Sequence, residues 1–237
     1  MHPAGGEHCD RAPLTPTMRL VPAHPASNEH AGHNPVTGEP HSAAGTPLAL
    51  DLSLEELERE ARHVIGEMAY AYYAGGADDE RLLGQNVAAW ANWQLHPKVL
   101  AGISAVDLST TLLGTAVRSP VAIAPTAIQG LAHVDGEVAT ARGAAAQGAL
   151  MVLSSLATCS LEEVAAGAPG GARWMQVYIL RERARTVELV QRAEAHGYGA
   201  LVLTVDAPVS GLRLRELRGG VHLPHDLALP NLADLGA

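Results

Sequence analysis

A chain of 237 residues with net charge −9, 47% hydrophobic and 17% charged residues has a globular balance and room for one sizeable domain. Lys and Arg form no run, which excludes a nucleic-acid backbone as partner, and no stretch reaches the ~18 uninterrupted apolar residues of a transmembrane helix. Phe is absent and aromatics are only 3%, so a core must come from Leu, Val, Ile and Ala, which suits a buried parallel sheet flanked by helices.

Residues 1–46 are rich in His, Pro, Ala and Gly and show no apolar period or signal-peptide core. Such a segment cannot bury enough surface to offset its ordering entropy, so a disordered tail is expected. Its His residues (His2, His8, His24, His30, His33, His41) are irregularly spaced and match no structural zinc pattern, so no metal site is expected. Cys9 and Cys159 lie far apart in unlike contexts, which argues against a disulfide framework and for a reducing cytoplasm.

Composition changes at Pro47, and one domain is expected over 47–237. Ser53 with Glu56 forms an S-x-x-E capping box, and Leu54, Leu57, Ala61, Val64, Ile65, Met68 and Tyr72 recur at helical spacing. The spacing predicts a helix over 53–74, ended by Gly75-Gly76. From 120 onward, apolar runs (121–124, 150–153, 174–178, 200–205) alternate with helical stretches (136–148, 160–166, 182–196), and Ser160 with Glu163 is a second capping box. Strands spaced by helices imply parallel βα units with right-handed crossovers.

Four such units fit either a small doubly wound sheet or half of a TIM (β/α)8 barrel, and periodicity does not choose between them. The strand ends lean one way. Polar or special residues follow every run: Pro125-Thr126, Ser154-Ser155, Gln176 with Tyr178, and Thr204 with Asp206. A barrel gathers all these ends on one face, whereas an open sheet concentrates its site at a switch point, so the barrel is favoured.

No dinucleotide fingerprint, P-loop or G-x-S-x-G elbow is present. What remains is a set of motifs in order along the chain: Tyr70-Ala-Tyr-Tyr-Ala-Gly-Gly-Ala-Asp-Asp-Glu80, Asn86 with Trp93, Ser109 to Gly114, Ala124-Pro-Thr-Ala-Ile-Gln129, Gly136 to Ala141, Leu153 to Thr158, Gln176-Val-Tyr178, Leu203-Thr-Val-Asp-Ala-Pro208 and Gly211-Leu-Arg213. This series resembles the FMN-dependent 2-hydroxy-acid dehydrogenases and oxidases of lactate- and glycolate-oxidase type, over about 50–232.

The resemblance implies FMN as cofactor and oxidation of a small 2-hydroxy acid to a 2-oxo acid. It implies that Pro125, Thr126 and Ala127 lie against the flavin ring, and that Ser154, Gln176 and Thr204 bond its polar edge. Tyr72, Tyr178 and Arg213 correspond to substrate positions, and a guanidinium fork suits bidentate capture of a carboxylate. Asp206 corresponds to the carboxylate that orients the catalytic His; Asp206 and Tyr178 are the catalytic candidates. From the residues alone, Tyr73 reads as a packing residue, Cys159 as small-core packing, and Arg213 equally as a surface cation.

The chain also departs from the pattern. Leu156 stands where some members carry an aromatic residue over the substrate, and Leu212 and Gly219-Gly220 replace more polar residues. The family's flavin Lys, His base, second carboxylate-binding Arg and phosphate loops have no counterpart before Ala237. A chain inactive by itself is therefore expected, completed by a C-terminal half or by self-association; the competing reading is a non-catalytic half-barrel that binds a ligand or partner.

Overall fold

The computed structural model describes residues 52–206, 209–225 and 227–232. The segment 1–46, its six His residues, Cys9 and the boundary expected at Pro47 lie outside the described residues. The described residues fall into two compact units, one of them Arg81–Ile103 and the other all the rest. The smaller contains helix α2 (Arg81–Trp90), whose Leu82, Val87 and Trp90 are exposed. Everything below concerns the larger unit.

Helix α1 (Leu54–Ala74) begins at the expected capping box: Ser53 Oγ accepts the Glu56 N–H at 3.2 Å, and the Ser53 N–H donates to the Glu56 carboxylate at 2.7 Å. The expected unbroken helix is kinked. Gly66 sits at φ 78°, ψ 159°, a conformation open essentially to glycine, and splits α1 into two helical segments. Apolar periodicity runs through Gly66 unbroken, which is why the pattern conceals the kink. Gly75 ends the helix as expected, but in an extended conformation (φ −78°, ψ 146°) instead of the left-handed one. A Cβ there would lie 2.5 Å from the Ala71 carbonyl oxygen, so the close approach selects glycine.

A hairpin of β1 (Thr110–Leu112) and β2 (Thr115–Val117) precedes the main sheet. That sheet contains β3 (Ala122–Ile123), β4 (Leu150–Leu153), β5 (Arg173–Val177) and β6 (Leu201–Leu203), all parallel and in sequential order. The two outer strands are shorter than the apolar runs that announce them, because each has one neighbour and its ladder extends only as far as that neighbour pairs with it. Between the strands lie α3 (Gly136–Gln147), α4 (Leu161–Gly167) and α5 (Arg183–Ala195); α6 (Leu214–Gly219) follows β6. The Ser160–Glu163 capping box opens α4.

The register settles the architecture. Ile123, Met151, Leu153, Met175 and Val177 share one sheet face and pack with Ala141 and Ala144 of α3, Leu161 and Val164 of α4, and Leu189 and Ala193 of α5. All three helices thus cover the same face, whereas a doubly wound sheet carries helices on both. Sequential parallel strands with one-sided helices are units of a TIM-type barrel. The opposite face carries Leu150, Val152, Trp174 and Gln176, and Trp174 Nε1 donates to Thr115 Oγ1 of the hairpin at 3.0 Å.

Arg173 organises the end opposite the strand C-termini. Its Nη1 donates to the carbonyls of Ala168 and Gly171, its Nη2 to that of His196, and its guanidinium lies 5.5 Å from the Tyr198 ring centre. One cation thus collects carbonyls at the C-terminal ends of α4 and α5, where the helix dipole favours positive charge. The Tyr198 hydroxyl donates to the Leu161 carbonyl, and burial raises it well above the usual phenol range. Arg173→Ala is expected to cost about 2–3 kcal/mol in urea unfolding, with Arg173→Lys recovering less than half, because a point charge cannot reach three carbonyls.

Candidate active site

The C-terminal ends of the four parallel strands lie on one rim. At its centre is Gln176, only 2% exposed and on the inner face of β5. Its Oε1 accepts the Ser155 N–H at 2.9 Å and the Ser155 hydroxyl at 3.0 Å, and its Nε2 donates to Thr204 Oγ1 at 2.8 Å. A backbone N–H can only donate, so Ser155 fixes which way the amide points. Thr204 Oγ1 accepts from Gln176 and keeps its own proton to give, and Gln176 retains a second amide hydrogen. The result is a polar row, Ser155–Gln176–Thr204, spanning three strands with donors to spare.

The structure places the other expected cofactor residues around this row. Ser154 is buried, and its hydroxyl accepts the Leu156 N–H at 3.1 Å, a local turn; Ser155, read from the sequence only as a polar strand-end residue, is the serine that joins Gln176. Pro125 and Thr126 are exposed and Ala127 is half-buried. Gln129 Nε2 donates to the Thr126 carbonyl at 3.3 Å and its Oε1 accepts from Thr140 Oγ1 at 2.6 Å, which pins the loop after β3 to α3.

The substrate candidates cluster at the end of α1. The rings of Tyr72 and Tyr73 meet edge to face at 5.3 Å, and the Arg213 guanidinium lies 5.3 Å from the Tyr72 ring centre. Tyr178 is close enough to act electrostatically on Tyr72, whose hydroxyl is pushed up chiefly by burial and pulled back by Arg213. Tyr73 donates to the Ile128 carbonyl at 2.6 Å, and burial pushes its hydroxyl up to about 12; it ties α1 to the loop after β3. The fold therefore brings Tyr72 and Arg213 into contact, with Tyr178 near enough to bear on the Tyr72 hydroxyl.

The expected bidentate fork on Arg213 is engaged by the protein itself. Its Nη2 donates to the Tyr72 carbonyl at 2.5 Å and the Gly75 carbonyl at 2.9 Å, and its Nη1 pairs with Glu216 at 2.6 Å. With both Nη2 hydrogens used, a carboxylate meets single N–H groups unless Glu216 yields. Arg215 pairs with Glu80, which also accepts the Gly76 N–H at 3.1 Å, so α6 holds the end of α1 through two arginines. Asp206 is exposed, and among the described residues no hydrogen bond joins it to Tyr178 or Arg213.

Glu137 had no role assigned from the sequence, yet it holds the rim loops together. Fully buried, it accepts the N–H groups of Gln129 (2.9 Å), Thr158 (3.0 Å) and Cys159 (3.0 Å) and the Thr158 hydroxyl (2.8 Å). Burial drives its carboxyl upward, but the hydrogen bonds from Thr158 and Gln129 outweigh it and leave the group below its ordinary value. A Glu in the first turn of a helix reads as dipole compensation, which conceals that it reaches back into two loops. Cys159 packs against the core, and burial raises its thiol. Among the described residues no group of His, Cys, Asp and Glu is placed to hold a metal, and no helix is long and apolar enough to cross a membrane.

Residues 61–237 match the model of the FMN-dependent dehydrogenase family. The chain belongs to that family. It is 43% identical over 180 residues to 2-hydroxyacid oxidase 1 of Homo sapiens, covering 76% of this chain and 49% of that protein. Against L-lactate oxidase of a Nostoc species it is 44% identical over 193 residues, covering 80% and 53%. Among solved structures, lactate oxidase of Pediococcus acidilactici superposes with a TM-score of 0.71 at 37% identity, covering 76% and 49%. A mandelate oxidase bound to (S)-4-hydroxymandelic acid gives 0.72 at 39%, covering 76% and 50%. The chain spans about half the length of the curated relatives it matches. As a family member it carries the rim residues described above on the first four parallel strands of the barrel.

Proposed function

We propose that this chain supplies the flavin-edge and substrate-facing part of an FMN-dependent 2-hydroxy-acid oxidoreductase site. The observation that carries the reading is the polar row Ser155–Gln176–Thr204, which keeps an amide hydrogen and a hydroxyl proton free on the inner face. Those donors fit the carbonyl and ring-nitrogen edge of a flavin, because an unpaired buried donor costs about 1–3 kcal/mol unless a ligand accepts from it. The exposed Pro125 and Thr126 and the half-buried Ala127 offer a wall for the ring, and buried Ser154 holds the turn beside it.

When bound, FMN supplies an acceptor for the electron pair that leaves the α-carbon as the 2-hydroxy acid becomes a 2-oxo acid. The chain's own residues bind and orient. Tyr72 and Tyr178 present hydroxyls to the carboxylate or the reacting oxygen, Arg213 adds positive charge beside them, and Asp206 at the end of β6 offers a carboxylate to hold a cationic base. Lactate, glycolate and hydroxymandelate are the acids that the relatives' names attach to them; for this chain the class is a small 2-hydroxy acid. Cysteine usage favours a reducing, cytoplasmic compartment.

One observation favours the non-catalytic alternative: among the described residues no strand pairs with the far side of β3 or β6. Flavin binding separates the two. Titration of FMN with the purified chain is expected to quench flavin fluorescence saturably, and Thr204→Val to weaken binding about 5–10-fold, as for one hydrogen bond worth ~1 kcal/mol. A folded chain that leaves FMN fluorescence and anisotropy unchanged overturns the proposal.

A further inference from the structure

The loop after β3 turns at Ile128, whose backbone lies at φ 57°, ψ 43°, in the left-handed region. Among the described residues at positive φ, Ile128 alone is β-branched. A side chain branched at Cβ enters that region only under strain, and such strain persists only where surrounding contacts hold it.

The hydrogen bonds on either side of Ile128 are those contacts. Its N–H donates to the Leu156 carbonyl at 3.0 Å, and its carbonyl accepts the Tyr73 hydroxyl at 2.6 Å and the Leu131 N–H at 3.1 Å. The Gln129 N–H goes to Glu137 at 2.9 Å and the Gly130 N–H to Thr158 Oγ1 at 3.0 Å. Of these partners Tyr73 alone comes from α1, 55 residues before Ile128. Burial raises its hydroxyl to about 12, so it stays a donor through neutral and mildly alkaline pH.

Both ends of this tie touch the proposed site. Tyr73 follows Tyr72 in the last turn of α1, and the two rings meet edge to face at 5.3 Å, so one tyrosine fixes the other. Ile128 follows Ala127, the last residue of the wall offered to the flavin ring. We infer that Tyr73 is a positioning residue: its hydroxyl holds Ile128 in the left-handed turn and so sets the wall of Pro125, Thr126 and Ala127 relative to Tyr72. The separation of cofactor and substrate, given the flavin reading on which this rests, is then fixed before either binds. Preformed geometry of this kind spares the binding step the cost of ordering the loop.

Tyr73→Phe is the test, because it keeps the ring against Tyr72 and removes only the hydroxyl. Hydrogen exchange on the full chain without FMN reads the loop, since the N–H groups of Ile128, Gln129, Gly130 and Leu131 all have acceptors. Their exchange is expected to accelerate about 5–10-fold, as for the loss of one hydrogen bond, with β4 and β5 unchanged. FMN affinity is expected to fall by a similar factor, and the visible circular dichroism of the flavin at saturation to change as its wall moves. Unchanged exchange in the loop overturns the inference, and so does acceleration that extends through β4 and β5, which would make the hydroxyl a support of the whole fold. A loosened loop with FMN affinity and flavin dichroism unchanged also overturns it and leaves Tyr73 a packing residue. If the wild-type chain leaves FMN unbound, the flavin reading fails and takes the inference with it; if wild type and Tyr73→Phe bind FMN alike, the inference alone fails.

Discussion

Glu137→Ala is expected to be the most damaging single substitution in the larger unit, lowering stability by about 3–5 kcal/mol in denaturant unfolding, the range for removing one partner of a buried charged network. The carboxylate accepts three backbone N–H groups and one hydroxyl, and no other group replaces it, so its loss leaves buried donors unpaired. In a chain of this size the loss corresponds to a fall of about 10 °C or more in the melting midpoint. Glu137→Gln keeps the shape but puts an NH2 against an N–H donor, so it recovers only part of the loss.

The same residue sets a pH dependence. Glu137 is held below its ordinary value in the folded chain, so folding releases a proton that the unfolded chain would keep. Its contribution is complete above the ordinary glutamate range and is lost as pH falls through the depressed folded value. Wild-type stability is therefore expected to decline with acid below about pH 4.5, and Glu137→Gln to show a shallower decline from a lower plateau. A variant whose acid limb parallels that of the wild type would remove Glu137 from this role.

Gln176→Leu is expected to have the second-largest effect, on two readouts at once. It strands the Ser155 N–H and hydroxyl in a buried place, a cost of about 2–3 kcal/mol in unfolding free energy, and it releases Thr204. It also removes an amide donor from the proposed flavin edge, so FMN affinity should fall at least tenfold, more than for Thr204→Val. Gln176→Glu separates the contributions: its carboxylate still accepts from Ser155 but offers no N–H outward, so it should recover stability more than affinity. Equal recovery of both would mean that Gln176 acts only through the fold.

The sequence made much of this legible because the relevant signals are local. Both capping boxes form as read, since a cap needs only residues three apart. The four apolar runs became four parallel strands because uninterrupted β-favouring residues have few alternatives when both faces are to be buried. Gln176 stood out for a similar reason: an amide inside an apolar run demands partners, and the structure supplies them.

What stayed hidden depends on approach between distant segments. The kink at Gly66 is silent in an apolar pattern that continues across it, and the hairpin over 110–117 is too short to announce itself. That Ser155 and not Ser154 bonds Gln176 was also hidden, because a one-residue step past a strand end decides which hydroxyl meets a neighbouring strand, and that step is set by the turn. Arg213 illustrates the same limit. Its residue type and position bring it to Tyr72, but only the fold shows its donors turned onto the carbonyls of Tyr72 and Gly75 and onto Glu216.

Sequence by itself thus determined α1, the four parallel strands and the helices between them, their order and the chemical character of the strand ends, because caps, periodicity and apolar runs act over a few residues. Tertiary structure decided the barrel over the doubly wound sheet, the role of Glu137 and the engagement of the Arg213 donors within the chain. Each of these depends on which face a helix covers or which loops a side chain reaches, and such contacts are fixed only when segments dozens of residues apart compete for the same buried space.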